Sequence, residues 1–207
     1  NDVMDTNAGE AQRAVLEDLL NNTKAILDCT DETETKVGFF KKDKLAELTA
    51  AYNNAKTVFD HNSSTDFAAV YKQLLTEYSA LMADNYARVG IVEGAAYRIN
   101  NKNYSGRFMS VNSEKKVIAE ENANNEAQKW YFVATDTEGT YYLKNKSTGT
   151  YAKSISTSKQ LDASAATTED AAKYSLVFIG DGSLAITEST GIHCAASYNV
   201  VGWNWSN

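Results

Sequence analysis

Gln128-Lys129-Trp130-Tyr131-Phe132-Val133 is the stretch that decides how this chain is laid out. About 44 residues on, Ala172-Lys173-Tyr174-Ser175-Leu176-Val177 repeats its order, with a lysine, a large aromatic and an alternating apolar tail. Alternation of apolar and polar positions is the signature of a half-buried strand, so both segments are expected to be strands.

The surrounding sequence falls into register around these two strands. Tyr97-Arg98-Ile99-Asn100-Asn101-Lys102, Tyr142-Leu143-Lys144-Asn145-Lys146 and Leu184-Ala185-Ile186-Thr187-Glu188 start alike. Each leads into a glycine turn, at Ser105-Gly106, Thr148-Gly149 and Thr190-Gly191. Another short strand follows each glycine, at Arg107-Phe108-Met109, Thr150-Tyr151-Ala152 and Ile192-His193-Cys194. The glycines recur every 43 residues or so, within the range that marks repeat architectures. A unit of four short strands used three times predicts a closed β architecture with pseudo-threefold symmetry.

The pattern resembles the ricin B-type β-trefoil. Its Gln-x-Trp signature stands once, as Gln128-Lys129-Trp130, and in degenerate form as Ala172-Lys173-Tyr174. The resemblance covers residues 93–207 and implies that the signature aromatics are core. It also implies that the third lobe is truncated: its signature strand falls due after Asn207, so a longer natural protein is expected. Sugar-binding lobes of that family carry an acidic residue four positions after the turn glycine and an Asn just before the signature. Here the acidic positions hold Ser110, Lys153 and Ala195, and the Asn positions hold Ala127 and Ala171. The charge-assisted bonds that would fix a sugar's vicinal hydroxyls are therefore missing, and the usual galactose site is not expected in any lobe.

The tail Val200-Val201-Gly202-Trp203-Asn204-Trp205-Ser206 offers a different site. Two tryptophans alternate in a polar strand, so both point to one face. Facing inward they are core; facing outward they form a flat apolar platform suited to a sugar's C–H face. The first two lobes have no aromatic in the equivalent stretches, Val117 to Asn122 and Lys159 to Ala163. The candidate ligand-binding residues are thus Trp203 and Asn204, with Asn199 and His193 as neighbours.

Before Arg88 the grammar is helical. Val15, Leu16, Leu19, Leu20, Thr23, Ile26 and Leu27 form one apolar stripe. Leu45, Leu48, Tyr52, Ala55 and Phe59 form a second, and Phe67, Val70, Tyr71, Leu74, Tyr78 and Leu81 a third. Asp28 to Val37 is polar and reads as a loop, and Ser64 or Thr65 is placed to cap the third helix. The expectation is a three-helix bundle over residues 1–92, acting as a spacer. It resembles the small helical modules, including those called FIVAR, that lie between domains of bacterial cell-surface proteins. The fold class expected is therefore α+β in two domains.

Composition bounds the rest. The net charge of -7 over 207 residues argues against nucleic acid, since few cations stand ready to replace counterions along phosphate. No apolar run reaches the roughly 20 residues of a membrane span. Two histidines, His61 and His193, and two cysteines, Cys29 and Cys194, are too few and too scattered for a metal site, and no cofactor motif occurs. The cysteines read as thiols, with pairing left open. Glu120 and Glu121 are adjacent, so a strand points them to opposite faces, which does not suit a pair of catalytic carboxylates. The expectation is a non-catalytic carbohydrate-binding region of a secreted, surface-attached or periplasmic bacterial protein, with further glycan-processing domains in the natural chain. The alternative is a structural or adhesion protein in which both domains contact protein.

Overall fold

The computed structural model describes the backbone of residues 2–63, 66–84, 86–179 and 183–204, with side chains from residue 9 onward. The chain divides into two compact units, one built on residues up to Gly90 and the other on Ile91–Phe178 and Leu184–Asn207.

Among the described residues the first unit holds three α-helices, α1 (Asp2–Leu27), α2 (Ala46–Asp60) and α3 (Phe67–Ala83). Leu16, Leu19, Leu20, Thr23 and Ile26 step along one face of α1 and are buried. Thr23 is tolerated there because its hydroxyl donates back to the Leu19 carbonyl at 2.8 Å. Leu48, Ala51 and Ala55 of α2 and Phe67, Val70, Leu74 and Leu81 of α3 complete the core. The stripes expected from spacing are these, except that Val15 faces solvent. Tyr52, Phe59, Tyr71 and Tyr78 pack against the core without being fully buried. His61 ends α2, its Nδ1 2.7 Å from the Thr57 carbonyl. The expected caps Ser64 and Thr65 lie outside the described residues.

The segment after α1 is more ordered than a polar loop. Strand β1 (Thr30–Asp31) pairs in parallel with β2 (Phe40–Lys41). The buried Asp31 carboxylate holds the intervening turn, accepting from the Thr33 amide (3.1 Å), the Thr33 hydroxyl (2.7 Å) and the Thr35 and Lys36 amides (2.6 Å each). Burial pushes this carboxyl up, but those donors outweigh burial and bring it down to about 2.

The second unit is built from nine short strands among the described residues. They are β3 (Ala96–Tyr97), β4 (Arg107–Val111), β5 (Val117–Glu121), β6 (Trp130–Ala134), β7 (Thr140–Asn145), β8 (Tyr174–Phe178), β9 (Leu184–Thr187), β10 (Gly191–Cys194) and β11 (Val200–Trp203). Neighbours pair antiparallel in the order β3-β6-β7-β8-β9-β10-β11, and β4 pairs with β5. Three hairpin-like segments stand out in sequence: β4–β5, the segment 150–165, and β10–β11, the last of these forming the end of the ribbon. They meet one another in a cycle, through bridges Lys116↔Asp162, Gln160↔Val201 and Ile118↔Asn199. That cycle is the spatial counterpart of the repeat read from the glycine spacing.

The repeat also has a shared anchor. Trp130 is fully buried and donates its indole N–H to the Met109 carbonyl at 2.9 Å. Tyr174, equally buried, donates its hydroxyl to the Lys153 carbonyl. Each signature aromatic thus ties its strand to the hairpin that precedes it in its own lobe. Gln128 has a structural duty too. Its side chain accepts from the Ala123 and Asn124 amides (3.2 and 3.0 Å) and donates to the Glu121 carbonyl (2.6 Å), closing the turn before β6. Gly106 and Gly149 take positive φ, 85° and 68°, as turn glycines. Gly191 does not: it is a buried residue opening β10 opposite Trp203, so the third turn is built differently.

Candidate ligand site in the third lobe

The register of β10 on β11 decides where the tail tryptophan points. Gly191 stands opposite Trp203, Ile192 opposite Gly202, His193 opposite Val201 and Cys194 opposite Val200. Directly opposed residues share a face of the sheet. Val200 is core and Ile192 packs against it. The face carrying Trp203, Val201 and His193 is therefore the other one, and Trp203 is 53% exposed. The register thus places Trp203 on the outer face of the hairpin and not in the core. Trp205 lies outside the described residues.

Gly202 sets how close the second hairpin comes to this strand. Its N–H donates to the Lys159 carbonyl (3.0 Å) and its carbonyl accepts from the Ser158 amide (2.7 Å). A Cβ placed there would lie 2.9 Å from the Ser156 carbonyl carbon and nearer still to its oxygen. Only glycine permits that approach, which props up the strand end bearing Trp203 and Asn204.

Beside this end is an open cleft of about 380 Å³ lined by Thr187, Glu188, Ser189, Thr190, Gly191 and Asn204. Glu188 is fixed in it. Its carboxylate accepts from the Ser154 hydroxyl (3.0 and 3.1 Å), the Ile155 amide (3.4 Å) and the Ser189 hydroxyl (2.9 Å), whose one proton is shared with the Ile155 carbonyl at 3.1 Å. Burial alone would raise this carboxyl, but these donors, with the Ser189 amide, hold it below the usual range, so it is charged at neutral pH. Asn204 is exposed at the rim, its Oδ1 3.4 Å from the Thr157 hydroxyl.

The four residues singled out from sequence are not all together. Trp203 and Asn204 are adjacent at the cleft end of β11. Asn199 sits at the far end of the strand, roughly 13 Å away at strand spacing, and its side-chain oxygen is engaged by the Gln160 amide at 3.2 Å. His193 shares the face of Trp203, but its Nε2 is buried and has no hydrogen-bond partner among the described residues. Glu188 was missed from sequence. It matches no expected acidic position, and its donors at residues 154 and 155 arrive through tertiary packing.

The three expected acidic positions stay empty of acid and serve the fold. Ser110 is buried in β4. The Lys153 and Ala195 backbones bond to Asp162 and Asn199. Among the described residues no group of acidic, histidine or cysteine side chains forms a metal cluster, and no helix is long and apolar enough to cross a membrane. Cys29 and Cys194 form no disulfide with each other; they lie in different units.

No protein family model matches the sequence, and no curated protein does either. Among solved structures, the chain is similar to the Polyporus squamosus lectin bound to a human-type influenza-binding epitope, with TM-score 0.50 and 18% identity over 57% of this chain and 46% of that chain. It is also similar to ThreeFoil, a designed 3-fold symmetric protein, with TM-score 0.48 and 17% identity over 54% of this chain and 90% of that chain. The chain spans just under half the length of the lectin. The likeness to the lectin is one of fold. Together with the cycle of three hairpins, it makes this an α+β chain of three helices and a β-trefoil-like, sheet-rich part.

Proposed function

We propose that the β unit is a non-catalytic carbohydrate-binding module whose site is the cleft end of β11. The observation that carries this is Trp203, a large aromatic 53% exposed on the outer face of a hairpin, next to a polar cleft. Large aromatics are mostly buried, and leaving one outside forgoes the stabilisation its burial would give. The exposed indole offers a platform for the apolar C–H face of a sugar ring, and the cleft that begins at the next residue, Asn204, carries hydroxyl and amide groups for the ring's polar edge, although Trp203 is not itself among the residues lining it. Hydroxyls and amides both donate and accept, as sugar hydroxyls require. The lectin likeness supports the same class of ligand.

In this reading the residues around the cleft bind and orient a ligand, and the Ser154 and Ser189 hydroxyls serve to fix the Glu188 carboxylate. The helical unit serves as a spacer of the kind found in bacterial surface proteins, and the chain works outside the cytoplasm among further glycan-processing domains. A lone platform with few fixed polar partners gives weak binding, on the order of millimolar. Useful retention then comes from several modules on one polymer. The test is a glycan array and polysaccharide affinity electrophoresis with the full chain. Retardation by at least one neutral or basic polysaccharide is expected. No retardation by any class would overturn the reading.

A further inference from the structure

We infer that the cleft beside Trp203 selects amino sugars, with Glu188 as the fixed acceptor for a protonated sugar amine and anionic sugars excluded. This rests on the carbohydrate reading above and narrows it to a ligand class.

The lining chemistry carries the inference. Of the six residues around the cleft, Thr187, Ser189 and Asn204 carry hydroxyl or amide groups, the Thr190 hydroxyl is buried, and Glu188 carries a carboxylate; none is cationic. Such a wall can satisfy hydroxyls and ammonium groups, but it has nothing to pair with a uronic or sialic carboxylate. The net charge of -7 adds to that repulsion at longer range.

Glu188 is also held in place before any ligand arrives. Ser154 and Ser189 each donate from one side, and the Ile155 amide donates from the backbone. Oε2 takes the Ser189 hydroxyl and Ile155 amide bonds, both oxygens share the forked Ser154 bond, and the Ser189 amide also donates to the carboxylate. The Ser154 contacts lie at the exposed side of the carboxylate, where an ammonium can replace a neutral hydroxyl donor. A charge-assisted bond to an ammonium is stronger than one to a neutral hydroxyl or acetamide. The carboxylate missing from Ser110, Lys153 and Ala195 is in this sense supplied from a different strand end, aimed at a different ligand. At about 380 Å³ the cleft is near the lower end of ligand pockets, which suits one terminal or side-exposed sugar unit.

The experiment measures binding of the full chain, by biolayer interferometry, to three immobilised tetrasaccharides of equal length. They are glucosamine (deacetylated chitosan), N-acetylglucosamine (chitin) and galacturonate. At mildly acidic pH and moderate salt, the glucosamine tetramer should bind about tenfold more tightly than the N-acetylated one, a factor equal to about 1.4 kcal/mol. The galacturonate tetramer should not bind. Glu188→Gln should bring the first two within about twofold. Glu169→Gln, which makes the same change in net charge at an exposed site of the same unit, should leave the ratio intact. Asn204→Asp, which adds a carboxylate at the rim, should raise it. An unchanged ratio in Glu188→Gln, or equal binding of galacturonate, overturns the inference while leaving the carbohydrate reading standing. Binding to none of the three, with no polysaccharide retained elsewhere, removes both.

Discussion

Replacing Trp130 by alanine should nearly undo the β unit, and the structure sets the size of the effect. The side chain is fully buried among Met109, Val117, Leu143 and Leu161 in one cluster. Truncating such an aromatic costs about 3–5 kcal/mol from lost transfer energy and the cavity left behind. The indole N–H also satisfies the Met109 carbonyl, and losing that bond adds about 1 kcal/mol. Trp130→Phe separates the two contributions, since it keeps most of the apolar volume and removes only the donor. It should cost about 1–3 kcal/mol, the penalty for an orphaned buried polar group with some loss of packing. The assay is urea unfolding followed by near-ultraviolet circular dichroism. With a slope of about 2–3 kcal/mol per M, the combined loss of about 4–6 kcal/mol in Trp130→Ala should lower the midpoint of the β unit by about 1.3–3 M. A midpoint shift below about 0.3 M would mean that Trp130 does not anchor its strand to β4.

Other perturbations follow from the same contacts. Gly202→Ala would force the Ser156 backbone away from β11 and should cost about 1–3 kcal/mol, read as a lowered melting temperature; an unchanged melt would contradict the close approach. Gln128→Ala orphans two amides and one carbonyl at the turn before β6 and should cost about 2–3 kcal/mol in the same assay. Asp162 is pushed up by burial but brought down to about 2 by the Lys116 ammonium and by Ser164. A carboxyl depressed on folding contributes stability above its unfolded value near 4 and loses it as pH falls through 2. Asp162→Asn should therefore flatten the acid limb of the β unit's stability between about pH 4 and 2, and an identical limb would count against the pair. Calorimetry with galactose or lactose should detect no micromolar binding, because the positions of Ser110, Lys153 and Ala195 offer no carboxylate to a sugar; a constant of about 1 μM, or −8 kcal/mol, would refute this.

What the sequence made legible was whatever repeats at short range. Helical stripes such as Leu16, Leu19, Leu20 and Thr23 fix a buried face by spacing alone. The twofold echo around Trp130 and Tyr174 exposed the lobes, because the same strand must meet the same core twice. What stayed hidden depends on polar partners, some in the same turn and some far along the chain, that no apolar spacing records. Asp31 looked like part of a solvated loop because its four donors are backbone and hydroxyl groups of the turn itself, which no hydrophobic pattern records. Asn145 reads in the sequence only as a polar residue leading into a glycine turn, yet it is fully buried, donating to the Ala127 carbonyl and accepting from the Ser147 and Thr148 amides. Whether Trp203 faces in or out turns on which residue of β10 it opposes, and a shift of one place would reverse it. Glu188 gains its setting from Ser154 and Ile155, more than 30 residues away.

The claim that matters most is that Trp203 is a ligand platform and not a structural residue. Trp203→Ala, run beside wild type in polysaccharide affinity electrophoresis and in urea unfolding, tests it directly. The side chain is 53% exposed, so its loss should cost no more than about 1 kcal/mol of stability. Retention on the polysaccharide that retards wild type should disappear. Retention equal to wild type, or a loss of stability near the 3–5 kcal/mol expected for a core aromatic, would contradict the account.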